Sequence, residues 1–93
     1  MEGMFFVYIL RSLKNGKLYI GYTSDVRARV QRHNNGQETF TKRYLPWELI
    51  YHESYFSKSE ALKREKYLKN LKNPKYILER IVGIGNSGGG TAR

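Results

Sequence analysis

Residues Leu18–Asn34 read as a strand that runs straight into a helix, and this junction fixes most of what the chain can become. Leu18, Tyr19, Ile20 and Tyr22 suit a pleated surface. Thr23 or Ser24 is placed to cap the helix, whose first turn then holds Asp25, an anion at the positive end of the helix dipole. Val26 and Val30 fall one turn apart and are expected to pack inward. Arg29 and His33 are also one turn apart and lie beside that seam. A cation and an imidazole bordering an apolar face, just past a Tyr-x-Gly strand, read either as a site or as two solvated helix residues. Spacing alone does not separate these readings.

On the N-terminal side, Met4–Leu10 is continuously apolar and β-favouring, as expected of a central strand buried on both faces. It is too short to cross a bilayer and no basic segment precedes it, so it reads as a strand rather than a signal. Asn15-Gly16 supplies the positive φ of a hairpin turn, and the Tyr19 strand is expected to return antiparallel. A two-residue turn sets Tyr8 opposite Thr23, whereas a four-residue loop sets it opposite Tyr19. Both registers point Tyr8 and Tyr19 to the same face, and only the wider loop brings them into contact.

Downstream, Asn34-Asn35-Gly36 ends the helix, with Gly36 able to take the left-handed position. The polar loop Gln37–Tyr44 carries hydroxyls, cations and two aromatics, a composition suited equally to gripping a phosphate backbone or to a plain surface connection. Pro46 opens a third strand, Trp47–Tyr55, in which Trp47, Leu49 and Tyr51 alternate with Glu48, Ile50 and His52. Ser57-Lys58-Ser59-Glu60 is a capping box that starts a second helix. Ala61, Leu62 and Leu68 mark its buried stripe, and Glu65 falls inside that stripe. A carboxylate there needs a cation, a metal or a water-filled cleft. A structural ion pair, with Arg29 as one candidate partner, is the alternative to a site. Lys63, Arg64, Lys66 and Lys69 read as ordinary solvated charges. Asn73-Pro74 caps a last short helix from Lys75 to about Val82, packed through Tyr76, Ile77 and Ile81. Positions 1–84 are expected to form one domain with a modest two-layer core, and 85–93 a disordered tail. The sequence contains no internal repeat.

Charge narrows the partner. Seventeen Lys and Arg against eight Asp and Glu give +9 over 93 residues, which favours a polyanion, nucleic acid before a membrane surface. No cysteine is present, which removes disulfides, thiolate metal sites and a Cys nucleophile, and fits a cytoplasmic protein. With only His33 and His52 available, a zinc site is disfavoured. The remaining chemistry is two tyrosines on one sheet face, Arg29 and His33 on one helix, and an inward Glu65 on another. One carboxylate suits a hard divalent cation whose other ligands are water and a phosphate oxygen. Arginine neutralises phosphoryl charge, and tyrosine or histidine orients or deprotonates water. Together these describe metal-assisted phosphodiester hydrolysis.

Phe6-Val7-Tyr8, ten residues, and Tyr19-Ile20-Gly21 then resemble the paired signature of the GIY-YIG nuclease superfamily, small stand-alone members especially. Arg29 resembles the family's catalytic arginine, Glu65 its metal-binding glutamate, and His33 a histidine found in many members. The resemblance covers the chain to about Val82. It implies an α/β (α+β) domain with a three-stranded antiparallel sheet flanked by helices, and a nuclease using one Mg2+ or Mn2+. Tyr8, Tyr19, Arg29 and His33 are the expected catalytic residues and Glu65 the metal ligand. Arg27, Lys42 and Arg43 are expected to hold nucleic acid. The expected substrate is DNA rather than RNA, with structured or damaged DNA, as in repair or recombination, one option; it is cut by a monomer, with a protein partner supplying specificity as a further possibility. The alternatives are a non-cleaving binding module or an accessory subunit that retains the fold. The chain departs from the family pattern in carrying Phe6 for the first signature glycine. Ile77 stands where several members have an asparagine.

Overall fold

The apolar run that opens the chain becomes the middle of a sheet. A computed structural model of the protein describes residues 3–83. Strand β1 (Phe5–Ser12) lies between β2 (Leu18–Thr23) and β3 (Trp47–Tyr55), antiparallel to both. Helix α1 (Val26–Asn34) follows β2, and a 3₁₀ turn (Thr41–Tyr44) precedes β3. Helix α2 (Lys58–Leu71) follows β3, and α3 (Pro74–Tyr76) continues as a π-helical segment, Ile77–Val82. The three-stranded antiparallel sheet flanked by helices is the α+β architecture expected. The expected tail at 85–93 lies outside the described residues.

Because side chains alternate along a strand, β1 feeds two cores rather than the single two-layer core expected. Val7 and Ile9 join Ile20, Ala61, Leu68 and Ile77 on the face covered by α2 and the terminal helix. Tyr8 and Leu10 join Trp47 on the other face, with Tyr19, Val30 and Tyr44 packed around them. The α2 face also takes Tyr51 and Tyr55. The other face carries Tyr8 and Tyr19.

The hairpin register falls between the two expected ones: Tyr8 faces Gly21, and Leu10 faces Tyr19. Gly16 takes φ 81° in the turn, and Ser12 Oγ accepts from the amides of Lys14 and Asn15, widening the loop. Strand β3 breaks the simple alternation expected. Ile9 pairs with Tyr51 but Leu10 pairs with Leu49, so Ile50 is a bulge. Trp47 and Tyr51 therefore face opposite sides of the sheet, and Tyr51 packs with the apolar core.

At the head of α1 the cap is Asp25 rather than Thr23 or Ser24, its carboxylate accepting from the Ala28 amide at 3.0 Å. Asp25 thus stands outside the first turn. Thr23 Oγ1 instead accepts from the Asp25 amide at 3.0 Å and sets the entry. Ser57 caps α2 as expected, and Asn73 caps α3 through Oδ1 to the Tyr76 amide. Ile77 is buried in that last segment, while Tyr76 is exposed rather than packed. Among the described residues no helix is long and apolar enough to cross a membrane.

Candidate active site

The one fully buried residue of α1 is His33, not Val26 or Val30, which are only half-buried. A buried imidazole must be hydrogen-bonded at both nitrogens. Nε2 lies 2.9 Å from the Tyr8 hydroxyl and Nδ1 lies 2.8 Å from Thr41 Oγ1. In a neutral ring one nitrogen donates and the other accepts, so the chain is satisfied in either tautomer. The Thr41 carbonyl accepts from Trp47 Nε1 at 2.8 Å, and Asn34 clamps the Trp47 backbone amide and carbonyl at 2.7 and 3.0 Å. The loop, read either as a phosphate grip or as a surface connection, is tied into the core through Thr41, which has no solvent exposure. Nothing in the sequence beyond its hydroxyl marks Thr41 for this place.

Tyr19 closes the cluster from the edge of the sheet. Its ring centroid lies 4.9 Å from that of His33 and 6.3 Å from that of Tyr8. The Tyr-x-Gly spacing has a steric cause here. A Cβ at Gly21 would stand 2.6 Å from the Tyr8 hydroxyl oxygen and 2.8 Å from Cζ, so only glycine lets Tyr8 lie under β2.

Electrostatics keep this cluster neutral. Burial pushes the Tyr8 phenol well above its ordinary value; the nearby Tyr19 adds to this and Arg29 opposes it. Burial also lowers the His33 pKa, reinforced by the Arg29 and Arg32 guanidiniums and opposed by Glu38. Arg29 thus lies close enough to act on both. It also lines a polar hollow of about 300 Å3 at the end of β2, with Tyr22, Thr23, Ser24 and Lys58. No carboxylate among the described residues pairs with it. In the sequence Lys58 is concealed as a cation inside a capping box, with nothing to mark it for this hollow.

Glu65 does face inward, its side chain 15% exposed, but its ionic partner is Lys69 at 3.1 Å rather than Arg29. Lys69 is therefore not a free solvated charge, and neither is Arg64. Arg64 makes a two-pronged pair with Glu53, Nε to Oε1 and Nη2 to Oε2 at 2.9 Å each. Tyr51 and Tyr55 hydroxyls donate to the same carboxylate. Glu53, which strand alternation gave no reason to notice, is as enclosed as Glu65. Arg27, Lys42 and Arg43 are exposed. Among the described residues no three His, Cys, Asp or Glu side chains gather. A cation here would rest on Glu65, water and substrate oxygens, a donor set that fits Mg2+ chemistry.

The GIY-YIG catalytic domain model matches residues 4–77, spanning every element of this cluster. The chain belongs to the GIY-YIG family. Its GIY-YIG relatives include a UPF0213 protein of Staphylococcus epidermidis, 54% identical over 65 residues, 69% of this chain and 78% of the relative. A UPF0213 protein of Staphylococcus aureus is 49% identical over 73 residues, 77% of this chain and 88% of the relative. The solution NMR structure of a UPF0213 protein from Bacillus halodurans superposes with TM-score 0.52 at 35% identity, covering 85% of this chain and 82% of that one. Of the two triplets that resemble the paired signature, Phe6-Val7-Tyr8 and Tyr19-Ile20-Gly21, Tyr8, Tyr19 and Gly21 pack on one another at the β1–β2 pair.

Proposed function

We propose that this GIY-YIG domain is a metal-dependent endonuclease that hydrolyses phosphodiester bonds in DNA. The observation that carries the reading is an arginine without a carboxylate partner among the described residues, set in a polar hollow beside a neutral Tyr8–His33–Thr41 chain. Arg29 and Tyr19 are the members with surface left to meet a substrate, since Tyr8 and His33 are wholly buried. Arg29 binds the phosphoryl oxygens and offsets the charge they gain as water adds to phosphorus and the ester P–O bond breaks. Tyr19 orients the attacking water. Tyr8 and His33 are positioning residues: their hydrogen bond holds an uncharged wall against the Tyr19 ring, so no buried charge competes with Arg29 for the phosphate. Glu65 would hold a divalent cation once Lys69 is displaced, and the cation would supply Lewis-acid stabilisation of the phosphoryl and leaving oxygens. Arg27, Lys42, Arg43 and Lys58 add sequence-independent backbone contacts.

The complete burial of Tyr8 and His33 favours one second reading, a DNA-binding module that keeps the fold without cutting. Labelled single-stranded, nicked and branched DNA incubated with and without Mg2+ or Mn2+ separates the two. The nuclease reading expects metal-dependent cleavage that falls by orders of magnitude in Glu65→Gln with folding intact. Full activity in that variant removes Glu65 from the site. Binding without cleavage under every metal condition leaves the binding module.

A further inference from the structure

At the start of β2, a second hollow of about 370 Å3 opens between the sheet edge and the last turn of α2, away from the Arg29 hollow at the strand's other end. Tyr19 and Phe40 form one wall, Leu18 and Ile77 an apolar floor, and Lys69 and Lys72 a cationic rim. We propose that this hollow is a subsite for one unpaired base, stacked on Phe40, of the DNA strand whose phosphate is held farther along β2 at Arg29. The proposal rests on the nuclease reading for the phosphate's place and adds to it the class of DNA taken.

Four observations point to a base. Phe40 is 56% exposed, a large aromatic left open in a loop whose neighbours are polar. It is also held rather than loose: its ring centroid lies 6.3 Å from Tyr19 and 6.0 Å from Tyr44, so one edge is packed and the remainder is presented. An aromatic platform flanked by lysines is the combination that binds single strands, because every base has a π-face and every nucleotide a phosphate. The hollow is also continuous with the candidate site on two sides. Tyr19 lines it directly, and Lys69 on its rim is the ion-pair partner of Glu65. A strand lying along β2 crosses from Phe40 to Arg29 past Tyr19, Gly21 and Thr23, with about 13 Å of strand between Tyr19 and Thr23. A fully paired duplex keeps its bases stacked inside and has none to give Phe40, so the subsite selects DNA with an unpaired nucleotide on the strand that is cut, about two nucleotides from the cut.

The test measures binding by anisotropy with EDTA present, so that it reads affinity apart from cleavage. A labelled single strand and a blunt duplex of equal length are titrated with wild type, Phe40→Ala and Phe40→Trp. The expected result is that wild type prefers the single strand. Phe40→Ala then weakens single-strand binding by about tenfold or more while duplex binding moves less than about twofold. Phe40→Trp restores the affinity, and its new indole is quenched on binding beyond any change from the buried Trp47. Equal losses on both DNAs, no loss on either, or an unquenched indole overturns the subsite. Cleavage with Mg2+ is then read separately. A single-strand-specific loss in a protein that never cuts leaves the subsite and removes the nuclease. Cleavage by wild type with Phe40→Ala indistinguishable on every DNA does the reverse.

Discussion

The two sides of the sheet each hold a tyrosine-centred polar network, and the two are built on opposite electrostatic principles. On the α1 side, Tyr8, His33 and Thr41 are linked with no formal charge among them. On the other side, Tyr51 and Tyr55 donate to Glu53, whose charge is met by a two-pronged Arg64. The difference decides what each arginine is free to do. Arg64 is occupied by a carboxylate at 14% side-chain exposure and anchors α2 to β3. Arg29 faces a hollow with no such partner among the described residues, next to groups that stay neutral. A structural network neutralises its cation internally; a site leaves that cation for the substrate.

That contrast can be broken most sharply at Tyr8. Tyr8→Phe deletes the hydroxyl but keeps the ring, leaving one buried imidazole nitrogen without its partner at a cost of about 1–3 kcal/mol. If the pair positions Tyr19, maximal cleavage rate falls about a hundredfold while DNA affinity is nearly unchanged. Single-turnover kinetics over a substrate titration give both numbers. A loss confined to affinity would place Tyr8 in backbone binding instead.

The ionic network should show the opposite pattern. Glu53→Gln removes the charge facing Arg64 in a partly enclosed setting, and about 2 kcal/mol of stability should go with it. Cleavage measured well below the melting temperature should be unaffected. Denaturant unfolding beside the cleavage assay checks both, and an inactive but folded variant would move the site across the sheet.

The smallest expected effect is in pH. Folded His33 is held below its ordinary 6.5 by burial and by Arg29 and Arg32, so the unfolded chain binds more protons as pH drops. The stability that the neutral His33 contributes is complete above about 6.5 and is lost as pH falls from there through the folded value. Glu53 is also held low despite its burial, by its bonds to Arg64, Tyr51 and Tyr55, so its contribution stays whole above about 4.5 and does not confuse the window. Melting temperature between pH 7.5 and 5.5 should fall more in wild type than in His33→Asn. Parallel curves would mean His33 is charged or exposed in the fold.

The legible part of this molecule was its covalent rhythm. Period-two and continuous apolar runs gave the strands, Ser57 and Asn73 marked helix starts, and Gly36 takes the left-handed φ of 75° expected of it. The paired tyrosines and Gly21 were legible because one steric fact, a ring lying under a residue without Cβ, imposes their spacing. What escaped depends on three dimensions. The bulge at Ile50 inverts the face of Tyr51, and no local pattern announces a one-residue slip. Arg64 reads as solvated because its partner lies eleven residues back, on β3 rather than on its own helix. Thr41 and Phe40 sat in one undifferentiated polar loop, yet one is wholly buried and the other half open. Glu65 was correctly placed inward, but its pairing with Lys69 is a choice between neighbouring cations that helix spacing leaves open.

Whether Arg29 serves a substrate and Arg64 serves the fold is decided on two variants of one protein. Single-turnover cleavage at saturating DNA and thermal melting are measured for Arg29→Ala and Arg64→Ala. Arg29→Ala is expected to lose cleavage by about a thousandfold or more with its melting temperature nearly unchanged, and Arg64→Ala to melt several degrees lower yet cut normally when folded. A folded Arg64→Ala that cannot cut, or an Arg29→Ala that cuts like wild type, contradicts that division of roles.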